Sequence, residues 1–300
     1  MTTKIKINKN DYIYLKEKGL LEEIKNPYDD FKYIFSLTTN KNKYYFKEES
    51  IDNIIKELIV IEIFKLFNIE AVEQEKATFE TEETKYNGLL SKDFKEKNYD
   101  YIFLEEILND YYVYIFNNDE NDEGLMNYNL NNLEIIWNAL EYRYKDYPDY
   151  ENQVKIFMNE LIKRFLVDIL TGQIDRHALN ILIKENEKEF SLAKVYDNSF
   201  SFDYTRLLLG VTPESLDYRN NKFVLTLSEF LNISSYKYTL QFKEMLDTLT
   251  IDKLIEIVNK IKNNNNLEDK CYNEIIDNYS KYYNKYTKVL KKRLRWITII

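Results

Sequence analysis

Apolar residues recur along this chain with two periods, and the points where the period changes divide it into elements. Phe31 to Leu37 and Lys43 to Lys47 alternate apolar and polar side chains around the polar run Thr38-Thr39-Asn40-Lys41-Asn42, the pattern of a β-hairpin. That alternation sets Tyr45 and Lys47 on one face and Tyr44 and Phe46 on the other. The period then lengthens. Ile54, Leu58, Ile61 and Phe64 to Leu66 form a stripe at helical spacing, which predicts a helix from Ile51 to Phe67 with Ser50 as its N-cap. Glu75 to Phe79 and Tyr86 to Leu90 read as strands. A long apolar helix is expected from Val154 to Leu170, stopped at Gly172. Ile181 to Ile183 and Phe190 to Val195 are two short strands around a charged turn. Further helices are expected at Asp11–Ile24, Tyr101–Leu108, Leu130–Tyr144, Leu225–Leu231, Tyr238–Leu249, Ile251–Lys262 and Asn273–Arg293. Loops are expected at Asn117–Asn129 and Asp217–Asn221.

The second hairpin matters for chemistry because of what flanks it. Asp175 and Asn180 stand just before it, five positions apart, and Asp197 just after it. Folding the hairpin carries Asp197 back beside the other two. Two carboxylates and an amide oxygen then share one mouth, and such hard oxygen ligands suit Mg²⁺, which keeps waters and substrate phosphates in its shell. Taken singly, an Asp or Asn in a loop is more often turn chemistry.

The order Asp175-Arg176-His177-x-x-Asn180, followed by Tyr196-Asp197, resembles the HipA-like serine/threonine kinases of bacteria. The resemblance spans about Phe31 to Phe202 and implies an α+β, bilobal protein-kinase-like fold. A small α/β lobe would cover 1–90 and a larger, mainly helical lobe 91–300, with the hinge near Ser91 to Asp93. By that resemblance Asp175 takes the substrate hydroxyl proton, while Asn180 and Asp197 hold Mg²⁺. Lys47 contacts the phosphates of ATP and pairs with Glu57, which alignment to the helix end Leu66-Phe67-Asn68-Ile69 favours over Glu62. That helix end lacks the family's glycine. Leu90, Ser91 and Asp93 bind the adenine side, mainly through backbone. Arg176 and His177 brace the loop. A hydroxyl of Ser36, Thr38 or Thr39 is the implied site of autophosphorylation. Implied partners are a protein substrate with a Ser or Thr hydroxyl and, if the chain is a toxin, an antitoxin protein.

One feature departs from the family pattern. No glycine lies between Gly19 and Gly88, so a Gly-rich phosphate loop is absent. The phosphates would fall to Thr38, Thr39 and the Asn40–Asn42 backbone, or to Lys47 and metal. That keeps open a non-catalytic kinase-fold binding module. A phosphoinositide-type lipid kinase shares the Asp-Arg-His-x-x-Asn run, but 300 residues leave little room for the accessory domains such enzymes carry.

Composition narrows the field further. The net charge of −9 argues against a general nucleic-acid binder. Cys271 is alone, so there is no disulfide framework or cysteine zinc site, and His177 is the only histidine, with no serine near it in sequence for a triad. No apolar run is long enough for a membrane span and the N-terminus has no signal-peptide core, which predicts a cytoplasmic protein. Asp119, Asp122, Glu123 and Gly124 imitate an EF-hand start, but Leu130 occupies the twelfth position, so a solvated loop is expected. Lys288, Lys291, Lys292, Arg293 and Arg295 lie near the C-terminus; basic residues favour the last turns of a helix.

Overall fold

A computed structural model describes residues 3–6, 16–24, 34–38, 42–80, 84–115, 133–204, 236–265 and 269–297. Its framework is a six-stranded sheet. In chain order the strands are β1 (Thr3–Lys6), β2 (Leu21–Ile24), β3 (Ile34–Thr38), β4 (Lys43–Glu48), β5 (Gln74–Glu80) and β6 (Lys85–Lys92), arranged β1-β5-β6-β4-β3-β2. All neighbours pair antiparallel except β1 and β5. The expected β3–β4 hairpin forms with Phe35 opposite Phe46 and Ser36 opposite Tyr45. As the alternation requires, Phe46 is buried among Leu21, Phe35, Ala77 and Phe79 on one face. The side chains of Lys47 and its cross-strand neighbour Leu89 take the other.

Gly88 sits where β6 meets β4. A Cβ there would lie 2.1 Å from the Lys47 carbonyl oxygen and 2.7 Å from the Phe46 ring. Only glycine permits this approach of the two strands beside Lys47.

Helix α1 (Ile51–Leu66) joins β4 to β5 and starts as expected, with the Ser50 side chain accepting from the Asn53 N–H at 3.2 Å. At its end Asn68 has φ 53, and Ile69 N–H returns to the Phe64 carbonyl. Asparagine thus fills the left-handed position that ends the helix. Beyond the sheet come β7 (Asp100–Phe103), α2 (Leu104–Ile115), α3 (Leu133–Tyr144), α4 (Tyr150–Thr171), β8 (Leu182–Glu185), β9 (Phe190–Leu192), α5 (Tyr236–Thr248), α6 (Ile251–Asn265) and α7 (Asp269–Ile297). Strands β7, β8 and β9 form a second, antiparallel sheet.

The largest apolar core joins α1 to the end of α4 and to α5, α6 and α7. A second lies between α2, α3, the first half of α4 and β8–β9. α4 contributes to both, so its buried charged residues Arg164 and Asp168 lie deep in the molecule.

Two expected helices are corrected. Of the described residues in Asp11–Ile24, Lys16 and Glu17 are helical; Gly19 at φ 63 ends that turn and residues 21–24 are strand β2. Pairing with β3 satisfies the backbone and lets Leu21 enter the aromatic core, which outweighs helix propensity. In Tyr101–Leu108 the first three residues belong to β7, because β8 claims their backbone groups, and the helix begins at Leu104. Residues 11–15, Thr39, the loops at 117–129 and 217–221, the helix at 225–231 and the EF-hand-like acids lie outside the described residues. Lys288, Lys291 and Lys292 are exposed along the last turns of α7.

Candidate active site

The site is built on the C-terminal end of α4. Gly172, at φ 61, closes the helix by donating to the carbonyls of Asp168 and Ile169. The loop that follows is anchored from inside the protein. The Arg176 guanidinium meets both carboxylate oxygens of Asp168, at 2.9 and 3.0 Å, with both side chains buried. It also donates to the Tyr196 carbonyl at 3.0 Å and to Asn198 Oδ1 at 2.6 Å. One buried arginine therefore ties the helix end, the Asp175 loop and the Asp197 segment together. Gln173 adds a second tie, accepting from the Asp175 N–H at 3.0 Å and donating to the Asp197 carbonyl at 3.4 Å.

Asn180 closes a single 3₁₀ turn over Ala178–Asn180. Its amide nitrogen donates to the Asp175 carbonyl at 2.9 Å. A carbonyl only accepts, so this bond orients the amide and leaves Asn180 Oδ1 without a protein partner among the described residues. Strands β8 and β9 then return the chain. Val195 pairs with Ala71, and the Tyr196 hydroxyl donates to the Leu179 carbonyl at 2.5 Å.

At Asp197 the backbone enters the left-handed region, with φ 55. Asp tolerates this conformation better than most residues. Its carboxylate Oδ1 accepts from Lys47 Nζ at 2.9 Å, joining residues 150 positions apart. Lys47 has a second ion pair, with Glu49 at 3.2 Å. The next residue, Asn198, donates through its main-chain N–H to one oxygen of Glu57 and through its amide to the other, at 3.2 Å.

These contacts set the charges. Burial acts to raise the Asp197 pKa, but Lys47, Arg176 and His177 outweigh it and hold the carboxyl below its ordinary value. Burial acts to lower that of Lys47, yet Asp197 and Glu49 raise it, so the lysine is a fixed cation. Glu57 goes the other way. Burial and the nearby Asp197 charge push its carboxyl up to about 7, against the pull of Lys47 and Arg176.

The sequence-predicted residues fall out unevenly. Asp175, Arg176, His177 and Asn180 lie on one loop and 3₁₀ turn, Arg176 and Gln173 tie that loop to the Asp197 segment, and Lys47 meets Asp197. Glu57 is the inward-facing glutamate of α1, while Glu62 pairs with Lys65 and Lys260 at the surface. The expected Lys47–Glu57 ion pair is not formed. Lys47 reaches Asp197 and Glu49 instead, because Asn198 takes both oxygens of Glu57. Leu90 packs its side chain against the aromatic core on the far face from Lys47, whereas Ser91 pairs with Tyr45 on the lysine face. The Asp93 N–H donates to the Lys43 carbonyl at 2.8 Å, and its carboxylate accepts from the Lys95 N–H at 3.0 Å. Ser36 is buried and donates to Glu22 at 3.5 Å; Thr38 is half-buried.

Sequence reasoning missed Asp168, Gln173, Asn198 and Glu49. A signal existed for Asp168: a carboxylate inside the run Phe165-Leu166-Val167-Asp168-Ile169-Leu170 must find a partner when that helix is buried.

No cluster of three or more His, Cys, Asp or Glu side chains able to hold a metal ion occurs among the described residues. A divalent ion here would rest on Asp197, whose second oxygen has no protein partner among the described residues, and on Asn180 Oδ1. Few protein oxygens, with the rest from water and phosphate, is a donor set that fits Mg²⁺.

No protein-family model matches the chain, and no curated protein matches its sequence. Solved structures do match. The Helicobacter pylori proinflammatory kinase CtkA superposes with a TM-score of 0.58 at 16% identity, covering 92% of this chain and 97% of that one. HipA from the HipA–HipB toxin–antitoxin system of Shewanella oneidensis MR-1, in complex with HipB and operator DNA, gives 0.47 at 12% identity, over 89% of this chain and 63% of that one. The mixed α/β fold is thus one shared with the CtkA kinase.

Proposed function

We propose that this chain is an ATP-dependent phosphotransferase, a HipA-like serine/threonine protein kinase. The observation that carries the reading is the Lys47–Asp197 contact. It sets a cation from the six-stranded sheet against a carboxylate whose segment Gln173 and Arg176 tie to the Asp175 loop. In this reading residues 1–90 form the nucleotide lobe of a bilobal kinase and residues 91–300 the helical lobe. The β6 end at Ser91 to Asp93 is the hinge that meets adenine through backbone groups.

The chain's own residues divide the work. Lys47 neutralises phosphate oxygens, and its raised pKa keeps it charged across the working range. Asp197 and Asn180 would hold Mg²⁺, which would supply charge neutralisation for the phosphates. Asp175 accepts the proton of the attacking hydroxyl. Arg176 and Gln173 hold both aspartate-bearing segments by side chain and backbone, so little reorganisation accompanies transfer. The substrate is a protein Ser or Thr hydroxyl. Ser36, Thr38 or Thr39 is the site of slow autophosphorylation, where an added phosphate would repel ATP from the same turn. An antitoxin partner and a cytoplasmic location complete the reading. No helix among the described residues is long and apolar enough to cross a membrane.

A second reading, a nucleotide-binding module without transfer, is favoured by the absent Gly-rich loop and by the missing Lys47–Glu57 pair. Thermal unfolding with and without Mg·ATP separates the two. Ligand at a hundredfold excess over Kd stabilises by about 2.7 kcal/mol, a rise of several degrees in Tm at about 2–4 °C per kcal/mol. Asp197→Asn should abolish most of that rise. Asp175→Asn should keep the rise and lose transfer. A rise without transfer to any protein, peptide or lipid establishes the binding module. No rise with any nucleotide and metal overturns both readings.

A further inference from the structure

We propose that Glu57 acts on the metal-binding turn through Asn198, making Asn198 a positioning residue for Asp197, and that Glu57 does not serve Lys47. The inference rests on the phosphotransfer reading and names what holds Asp197 in place for it.

Asn198 is fully buried and every polar group on its donor side is spent on one partner. Its main-chain N–H and its amide Nδ2 both go to Glu57, one to each carboxylate oxygen, and its Oδ1 receives Arg176 Nη2 at 2.6 Å. Among side chains of this size only asparagine offers a donor toward an anion and an acceptor toward a cation at once. Aspartate would set two carboxylates against each other. Leucine would strand both a buried carboxylate and a buried guanidinium donor.

The backbone explains why this reaches Asp197. With φ at 55, the chain turns so that the Asp197 carboxylate meets Lys47 while the next N–H meets Glu57. The same Arg176 that grips Asn198 also holds the Tyr196 carbonyl on the near side of Asp197. Asp197 is therefore clamped on both flanks by buried groups, while its own carboxylate stays part-exposed and turned toward Lys47. Lys47 meanwhile has its own anions in Asp197 and Glu49. Glu57 forms no ion pair with Lys47, and the hydrogen bonds its carboxylate accepts from Asn198 fix the turn.

Calorimetric binding of a non-hydrolysable ATP analogue, in Mg²⁺ and again in EDTA, tests this without any turnover. The ratio of the two dissociation constants isolates the metal-dependent part of binding. Asn198→Ala should shrink that ratio about 10–100-fold, the usual effect of losing a group that orients a metal ligand, with little change in EDTA. A merely structural role would lower the binding stoichiometry and leave the ratio alone. Glu57→Ala should match Asn198→Ala, and the double variant should be no worse than either. Paired with Lys47→Ala, it should be additive. Should Asn198→Ala fail to fold, Asn198→Asp keeps size and the Arg176 acceptor. It should lose the ratio, and adding Glu57→Gln should restore it by placing a donor opposite the new carboxylate. An unchanged ratio in Asn198 variants, or coupling of Glu57 to Lys47 in place of Asn198, overturns the proposal alone. Wild type that binds no analogue with metal overturns the phosphotransfer reading and this inference with it.

Discussion

Behind Asp175 and Asp197 the protein is tied together by buried charge: Asp168, Arg176, Asn198 and Glu57 form one chain of hydrogen bonds running from α4 to α1. Across from them, β4 presents Lys47 on a strand whose other face is held by stacked aromatics, with Phe35 and Phe79 rings 4.6 Å apart. The floor is positioned by directional bonds in a low-dielectric interior. The strand above it is positioned by apolar packing, which fixes a sheet but not a rotamer. Lys47 therefore takes its place only through the anions it meets. The difference implies that damage to the floor costs stability, whereas damage to the lysine costs function.

The hardest blow to the floor is Asp168→Ala, which leaves the buried Arg176 without its carboxylate partner. Urea unfolding should show a loss of about 3–5 kcal/mol; a loss under about 1 kcal/mol would mean that apolar packing alone holds both regions. Lys47→Ala should give the opposite profile. Transfer should fall by about 2–3 kcal/mol in transition-state stabilisation, as for one preorganised charge-assisted contact, while the urea midpoint barely moves because the lysine is part-exposed. A large stability loss with intact transfer would erase the distinction between the two regions.

Gly88→Ala tests how closely the strand above the site depends on packing. The new methyl must displace the Lys47 carbonyl or the Phe46 ring, and overpacking of this kind costs about 1–3 kcal/mol. Calorimetry would register it as a lower Tm; an unchanged Tm would mean that β4 and β6 separate freely.

The floor should also carry a pH signature. Glu57 is raised in the folded protein from 4.5 to about 7, so folding favours its protonated form. Its contribution is most favourable below pH 4.5 and is lost as pH climbs through about 7, at up to about 1.4 kcal/mol per pH unit. Glu57→Gln should flatten that part of the metal-free stability profile. A profile unchanged by the substitution would show that Glu57 titrates normally. The smallest effect belongs to Ser50→Ala, at about 1 kcal/mol in urea for a lost N-cap.

Local pattern was enough for much of this architecture. Alternation through Tyr44 to Lys47 assigned Lys47 to the face away from Phe46, and the spacing of Ile54, Leu58 and Ile61 with Ser50 ahead of them marked α1 and its start. The run from Asp175 to Asn180 and the hairpin before Asp197 made the loop legible, because hairpin closure is a short-range event that brings its own flanks together. Leu21–Ile24 and Tyr101–Phe103 read as helix by local pattern because a strand needs a partner, and no local signal names β3 or β8 as that partner.

What only the tertiary structure decided is who neutralises whom. The residues for a Lys47–Glu57 pair are present in the right order, yet Lys47 binds Asp197 and Glu57 binds Asn198. Sequence order specifies which charges exist and which face they leave from. Which oppositely charged or hydrogen-bonding group each one meets depends on sub-ångström placement of segments some 150 residues apart, where the interior offers every buried donor and acceptor a partner and leaves few unpaired.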